Sequence, residues 1–185
     1  MEKSVNNKGL KITLLILVLI RVALLVLNKR FYIYILIFFI NQSPINLILD
    51  ISIIICLMTL VNYKVNKVIK CLLNSFSAIV TIMLILITIF LNCDKRYFCF
   101  PGPNKSKTLV VEEDSSLLSG RSRFYERKGL MFIKDIKRSI DTDDGYRPFS
   151  NDHYELKWLD DNSVELHYDF GGGSSEYMTA IIRLN

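Results

Sequence analysis

Over 185 residues the chain is 51% hydrophobic, carries four cysteines and has a formal net charge of +5. The charge is unevenly spread: residues 1–91 hold nine Lys/Arg against Glu2 and Asp50, whereas residues 92–185 hold fourteen against sixteen acidic residues. The basicity belongs to the apolar half, which favours anionic lipid headgroups as its counterpart and excludes nucleic-acid binding as a leading function.

Taken in chain order, Lys3, Lys8 and Lys11 precede the apolar run Leu10–Leu27. No small-residue cleavage site stands near Leu27, and Asn28-Lys29-Arg30 follows instead, so the run reads as an uncleaved anchor rather than a secretory signal. Its eighteen residues, like the twenty of Leu72–Leu91, are long enough at about 1.5 Å per residue to cross a bilayer. Ile45–Val61 gives a third span with Asp50 inside it. Phe31–Ile40 is strongly apolar but only ten residues long, and is expected to lie on or dip into the outer leaflet, with a short fourth span as the alternative. Phe90-Leu91-Asn92-Cys93 is a poor lipoprotein processing site, because Asn92 stands where a small residue is needed.

Three spans with the N-terminus inside put six Lys on the inner side (3, 8, 11, 64, 67 and 70) against Lys29, Arg30, Lys95 and Arg96 outside. The same topology sets Arg21 and Asp50 at matching depth, roughly 7–9 Å inside the outer boundary. A four-span scheme puts them at opposite depths. An ionisable group in hydrocarbon costs about 2.5–3.5 kcal/mol, so a partner at the same depth favours three spans and makes Arg21 and Asp50 an intramembrane pair. Two charges alone make a thin ion or proton path, and a structural pair is the commoner arrangement.

Residues 92–107 read as a linker around Pro101-Gly102-Pro103-Asn104, leaving 1–91 as a membrane domain and 108–185 as a small β-rich, antiparallel extracytoplasmic domain. Thr108–Glu113 is β-branched. Tyr154–Leu159 and Val164–Phe170 alternate about the polar turn 160–163, the strongest hairpin signal in the chain, and Tyr177–Leu184 supplies a third strand after the glycine turn at 171–175. Ser122–Ile140 suits a strand in its first half and stays open between helix and strand in its second. Residues 104–185 are expected to fold alone, with Trp158 at least partly buried.

No motif is tied to a reaction. Asp141-Thr142-Asp143-Asp144-Gly145 departs from calcium-loop spacing, since Gly145 falls at position five, and reads as an Asp-Gly turn. The triple glycine lacks the Lys-Ser/Thr of a phosphate loop. His153 and His167 have no ligand or base partner at useful spacing, and no serine sits in a nucleophile elbow. No catalytic residue, cofactor or metal site is expected. Cys93 and Cys99 admit either a disulfide or two thiols. The basic run Arg121, Arg123, Arg127, Lys128, Lys134, Lys137 and Arg138 reads as a solvated face, with anionic lipid or wall polymer as the alternative.

TLVVEE (108–113), TDDGYRPF (142–149) and KWLDDNSVELHY (157–168), with spans ahead of them and an Ile/Asn/Lys-rich vocabulary, resemble uncharacterised small membrane-anchored proteins of Gram-positive bacteria. The resemblance implies a bacterial cell membrane and carries over no functional residue. The expectation is a multi-pass, non-enzymatic membrane protein that displays its β domain outside the cell as a binding or accessory module. Its partners would be the lipid bilayer and another membrane or cell-envelope protein. The alternative is a small polytopic protein that protects the cell against a membrane-active peptide or toxin. An enzyme is the third class.

Overall fold

The computed structural model describes residues 2–63, 65–116, 118–171 and 177–184. Lys64 and most of the glycine-rich turn, 172–176, lie outside them. The chain divides into a helical unit, residues 1–30 and 41–93, and a β unit, residues 31–40 and 94–185.

The helical unit holds α1 (Glu2–Val26), α2 (Gln42–Asn62) and α3 (Lys67–Asn92). All three are long and apolar enough to cross a membrane, with mean hydropathies of 2.7, 2.3 and 2.3 over Lys8–Phe31, Gln42–Asn62 and Lys67–Asn92. The starts of α2 and α3 are set by capping: the side chain of Asn41 accepts from Ser43 N–H at 3.0 Å and that of Asn66 from Ile69 N–H at 3.0 Å, satisfying donors the first turn leaves free. Two side-chain bonds tie α2 to α3 near opposite ends, Asn41 to Asn92 at 2.8 Å and Asn62 to Asn74 at 2.9 Å.

Phe31–Ile40 does not form a fourth apolar helix. After a π turn, Leu27–Phe31, it forms strand β1 (Ile33–Ile37) and, past a tight turn, β2 (Ile40–Asn41). These join β3 (Arg96–Pro101), β4 (Thr108–Ser116), β5 (Ser119–Lys128) and β6 (Phe132–Asp143) in a six-stranded sheet ordered β2-β1-β6-β5-β4-β3. Tyr34 pairs with Ile133 and Ile35 with Phe132, antiparallel. The physical reason is that β6 has a free edge, and a β-branched, aromatic run with two apolar faces satisfies its backbone by pairing there.

The expected linker likewise contains a strand, since β3 pairs with β4 from Arg96↔Glu113 to Pro101↔Thr108. Pro101 can end it because β3 is an edge strand, where a missing N–H costs no ladder bond. A fragment covering only 104–185 therefore lacks β1, β2 and β3, and is not the complete β unit.

The second sheet, β7 (Tyr154–Trp158), β8 (Ser163–Asp169) and β9 (Tyr177–Arg183), is the expected meander. Between the two sheets lies the main core, which includes Leu109, Val111, Phe124, Ile140, Phe149, Val164, Leu166 and Ile182, with Trp158 half-buried at its margin. A smaller cluster of Leu36, Val110, Tyr125 and Ile133 uses the alternate residues of β4 and β5, on the opposite face of the larger sheet. Gly120 is required by space: a Cβ there would lie 1.8 Å from the Tyr146 carbonyl oxygen.

Candidate functional site

Three places bring polar side chains together. In the helical unit, Arg21 Nε donates to Asp50 Oδ1 at 2.7 Å and Nη2 to Oδ2 at 3.1 Å, a two-pronged ion pair that joins α1 to α2. Among the described residues no other ion pair links the helices. A proton or ion relay needs a series of titratable groups, and residues 72–91 contain none. The arrangement is that of a clamp.

The second place is an open groove of about 490 Å³ in the β unit, lined by the tip residue Phe39, by Lys95, Arg96, Tyr97 and Phe98 of the β3 edge, and by Phe149, Ser150 and Asp152. Residues from both ends of the sheet order meet here, so the sheet is curled. The loop forming its far wall is held by Glu113, which is fully buried. That carboxylate accepts from Phe149 N–H at 2.8 Å and Ser150 N–H at 2.9 Å, and from the Ser150 hydroxyl. Charged acceptors of this kind form the stronger hydrogen bonds, and here one fixes a loop to a strand 36 residues earlier.

Beside the groove, buried Glu112 accepts from Tyr97 Oη at 2.8 Å and Tyr125 Oη at 3.2 Å, with Lys95 Nζ at 3.6 Å and Arg123 Nη1 at 3.8 Å. Burial, reinforced by the Glu112 carboxylate, pushes the Tyr125 hydroxyl far above the usual tyrosine range. Lys95 is thus partly committed to Glu112, while the Arg96 side chain is exposed at the edge. Among the described residues, aromatic walls, the exposed Arg96 and a strand edge with no further strand beside it suit binding of an extended or amphipathic ligand with an anionic group.

The third place is the surface cluster of Tyr146, His153 and Asp169. Tyr146 Oη bonds to His153 Nδ1 and donates to Asp169 Oδ2 at 3.1 Å, while Asp169 Oδ1 accepts from Gly171 N–H at 2.9 Å. Partial burial and then the bond to Asp169 raise the Tyr146 hydroxyl's pKa, so it is a neutral donor rather than a ready phenolate. These residues tie the 146–153 loop to the end of β8. His167 pairs with Thr179 Oγ1 at 2.8 Å and lies 3.7 Å from Glu165.

The basic run lies along β5 and β6 and is largely paired. Arg121 bonds to Asp141 at 2.7 Å and Lys128 to Glu126 at 2.6 Å, and Lys137 stands 3.8 Å over the Tyr32 ring. At the Asp-Gly turn Asp143 Oδ1 accepts from Asp144 N–H at 3.0 Å, and no group of three metal-ligating side chains occurs among the described residues. Cys93 and Cys99 are free thiols: Cys93 Sγ donates to the Phe90 carbonyl at 3.3 Å, and Arg127 Nη2 lies 3.5 Å from Cys99 Sγ.

Sequence reasoning missed Glu113 and the groove. The signal for the first was present, because Glu113 continues the Leu109, Val111 face of β4, where a charge needs a buried partner. The groove had no local signal, since its walls come from three separate stretches of chain. No protein-family model matches this chain, and neither a curated protein nor a solved structure matches it.

Proposed function

We propose that this chain is a multi-pass protein of a bacterial cell membrane that holds its β unit outside the cell as a non-enzymatic binding module, with the groove at the β3 edge as the binding surface. The observation that carries the reading is the path of the chain: the β unit receives its strands from between α1 and α2 as well as from after α3. The end of α1, the start of α2 and the end of α3 thus all lead into it. The three apolar helices and the weak excess of lysine at the opposite loops support the membrane and the orientation.

A second reading, protection against a membrane-active peptide or toxin, is favoured by the Arg21–Asp50 clamp, which commits the spans to one arrangement. Complementation of a gene deletion separates the two. The groove variant Phe39→Ser/Arg96→Glu should fail to restore the deletion phenotype while Arg21→Leu/Asp50→Leu restores it. The reverse pattern would assign the activity to the spans.

A further inference from the structure

The six-stranded sheet ends on one side in two apolar turns. β1 passes into β2 through Phe38 and Phe39, both in left-handed backbone with φ of 47° and 68°. β5 passes into β6 through Gly129, Leu130 and Met131. Leu36 N–H donates to the Met131 carbonyl at 2.9 Å, which extends the β1–β6 register and sets the two turns side by side. Phe38 and Leu130 are each 89% exposed, and Phe39, Ile40 and Met131 are exposed beside them.

Two-residue hairpin turns of this hand ordinarily take Asn and Gly, so a pair of phenylalanines there accepts backbone strain without gaining a buried contact. Cations adjoin the second turn: Arg127 Nη1 donates to the Leu130 carbonyl at 3.2 Å, and Lys128 is the last residue of β5. Along the chain, Phe39 stands two residues before Asn41, the cap of α2. Aromatic and aliphatic tips collared by Arg and Lys, one of them covalently next to a helix end, have the composition of an interfacial anchor.

We propose that the Phe38–Phe39 and Leu130–Met131 turns enter the headgroup boundary of the leaflet on the side where α2 begins, giving the β unit a lipid contact beyond its covalent attachments. The proposal rests on the reading that the three helices span the bilayer. Leu118, in the turn between β4 and β5 at the other end of the same strands, is 82% exposed and serves as an internal control, because it would remain in water.

The test uses the full chain with its four native cysteines replaced by alanine and an environment-sensitive fluorophore on a single cysteine introduced by Leu130→Cys, Leu118→Cys or Ile79→Cys. The proteins are reconstituted in phosphatidylcholine–phosphatidylglycerol vesicles containing lipids with an acyl-chain quencher. Ile79 lies within α3 and is exposed, so it reports whether that helix is in lipid. The expected result is blue-shifted, strongly quenched emission at 79 and 130, with emission at 118 as in water. Quenching at 79 with positions 130 and 118 alike overturns the lipid contact and leaves the spanning reading intact. No quenching at 79 overturns the spanning reading, and the proposal with it.

Discussion

The two units are built inside out relative to one another. In the β unit the large apolar side chains meet between sheets, and Leu109, Val111, Phe124 and Phe149 are essentially inaccessible. In the helical unit Cys56 is the one buried apolar side chain among the described residues, while Leu15, Leu72, Phe76 and Phe90 face outward. Its specificity comes from polar contacts, the Arg21–Asp50 clamp and the two Asn–Asn bonds. Where lipid surrounds a helix, burying leucine gains little, and a polar pair is what distinguishes one packing from another. The β unit uses charge in the opposite way, placing carboxylates inside to hold loops against an apolar core.

This contrast is open to attack from both sides. The largest effect is expected at Glu113. Glu113→Ala leaves one buried and one part-buried backbone N–H without an acceptor, at about 1–3 kcal/mol for the first and less for the second, so the β unit should lose about 2–4 kcal/mol of stability. Denaturant unfolding in detergent should show this with the helical circular-dichroism signal unchanged, and Glu113→Gln, which keeps one acceptor, should cost less. Trp158→Ala comes next. Full burial would imply about 3–5 kcal/mol, and for a half-buried ring about 2 kcal/mol is expected from the same melting curve.

The clamp probes the other unit. Arg21→Leu and Asp50→Leu should each lower the amount of protein in membranes more than the double change, with a coupling of about 1 kcal/mol or more. Quantitative immunoblotting of membrane fractions measures it, and additive losses would remove the clamp from the account. The smallest effect is a pH dependence. Because the folded-state pKa values of Tyr125 and Tyr34 are raised by burial, the unfolded chain ionises first, and stability that is full below about pH 10 falls as pH climbs above it. Tyr125→Phe should flatten that alkaline slope while costing about 1 kcal/mol at neutral pH through the lost bond to Glu112.

How much of this was legible in the sequence follows from where the forces act. The β7–β8 hairpin could be read because Val164, Leu166 and Tyr168 alternate with polar residues over a surface wetted on one side. Strand β6 was half legible, since Ile133, Ile136 and Ile140 are spaced as on a helix face. Along the strand Ile133 falls on the face of the smaller cluster, whereas Ile136 and Ile140, four residues apart, share the face of the main core. β1 was hidden because IYILI shows no alternation, and a short continuous apolar run fits a strand, a short helix or a lipid-facing segment equally well. Its partner lies about a hundred residues away, beyond the reach of local pattern. That Arg21 and Asp50 can meet was legible from helix rise, and the two side chains are in contact, whereas the groove was not legible, because curling of the sheet creates it.

The central claim is that 31–40, between two apolar helices, is a strand of the β unit. Ile35 and Phe132 face one another in the register at a position without mutual backbone hydrogen bonds, where Cα atoms in antiparallel pairs approach to about 4.5 Å and a disulfide can form. In intact membranes, with the native cysteines replaced, Ile35→Cys/Phe132→Cys should oxidise rapidly to an intrachain disulfide, detected as protection from maleimide-polymer labelling. The offset pair Ile35→Cys/Lys128→Cys should stay reduced. Equal labelling of both pairs after oxidation would contradict the account and return 31–40 to the membrane.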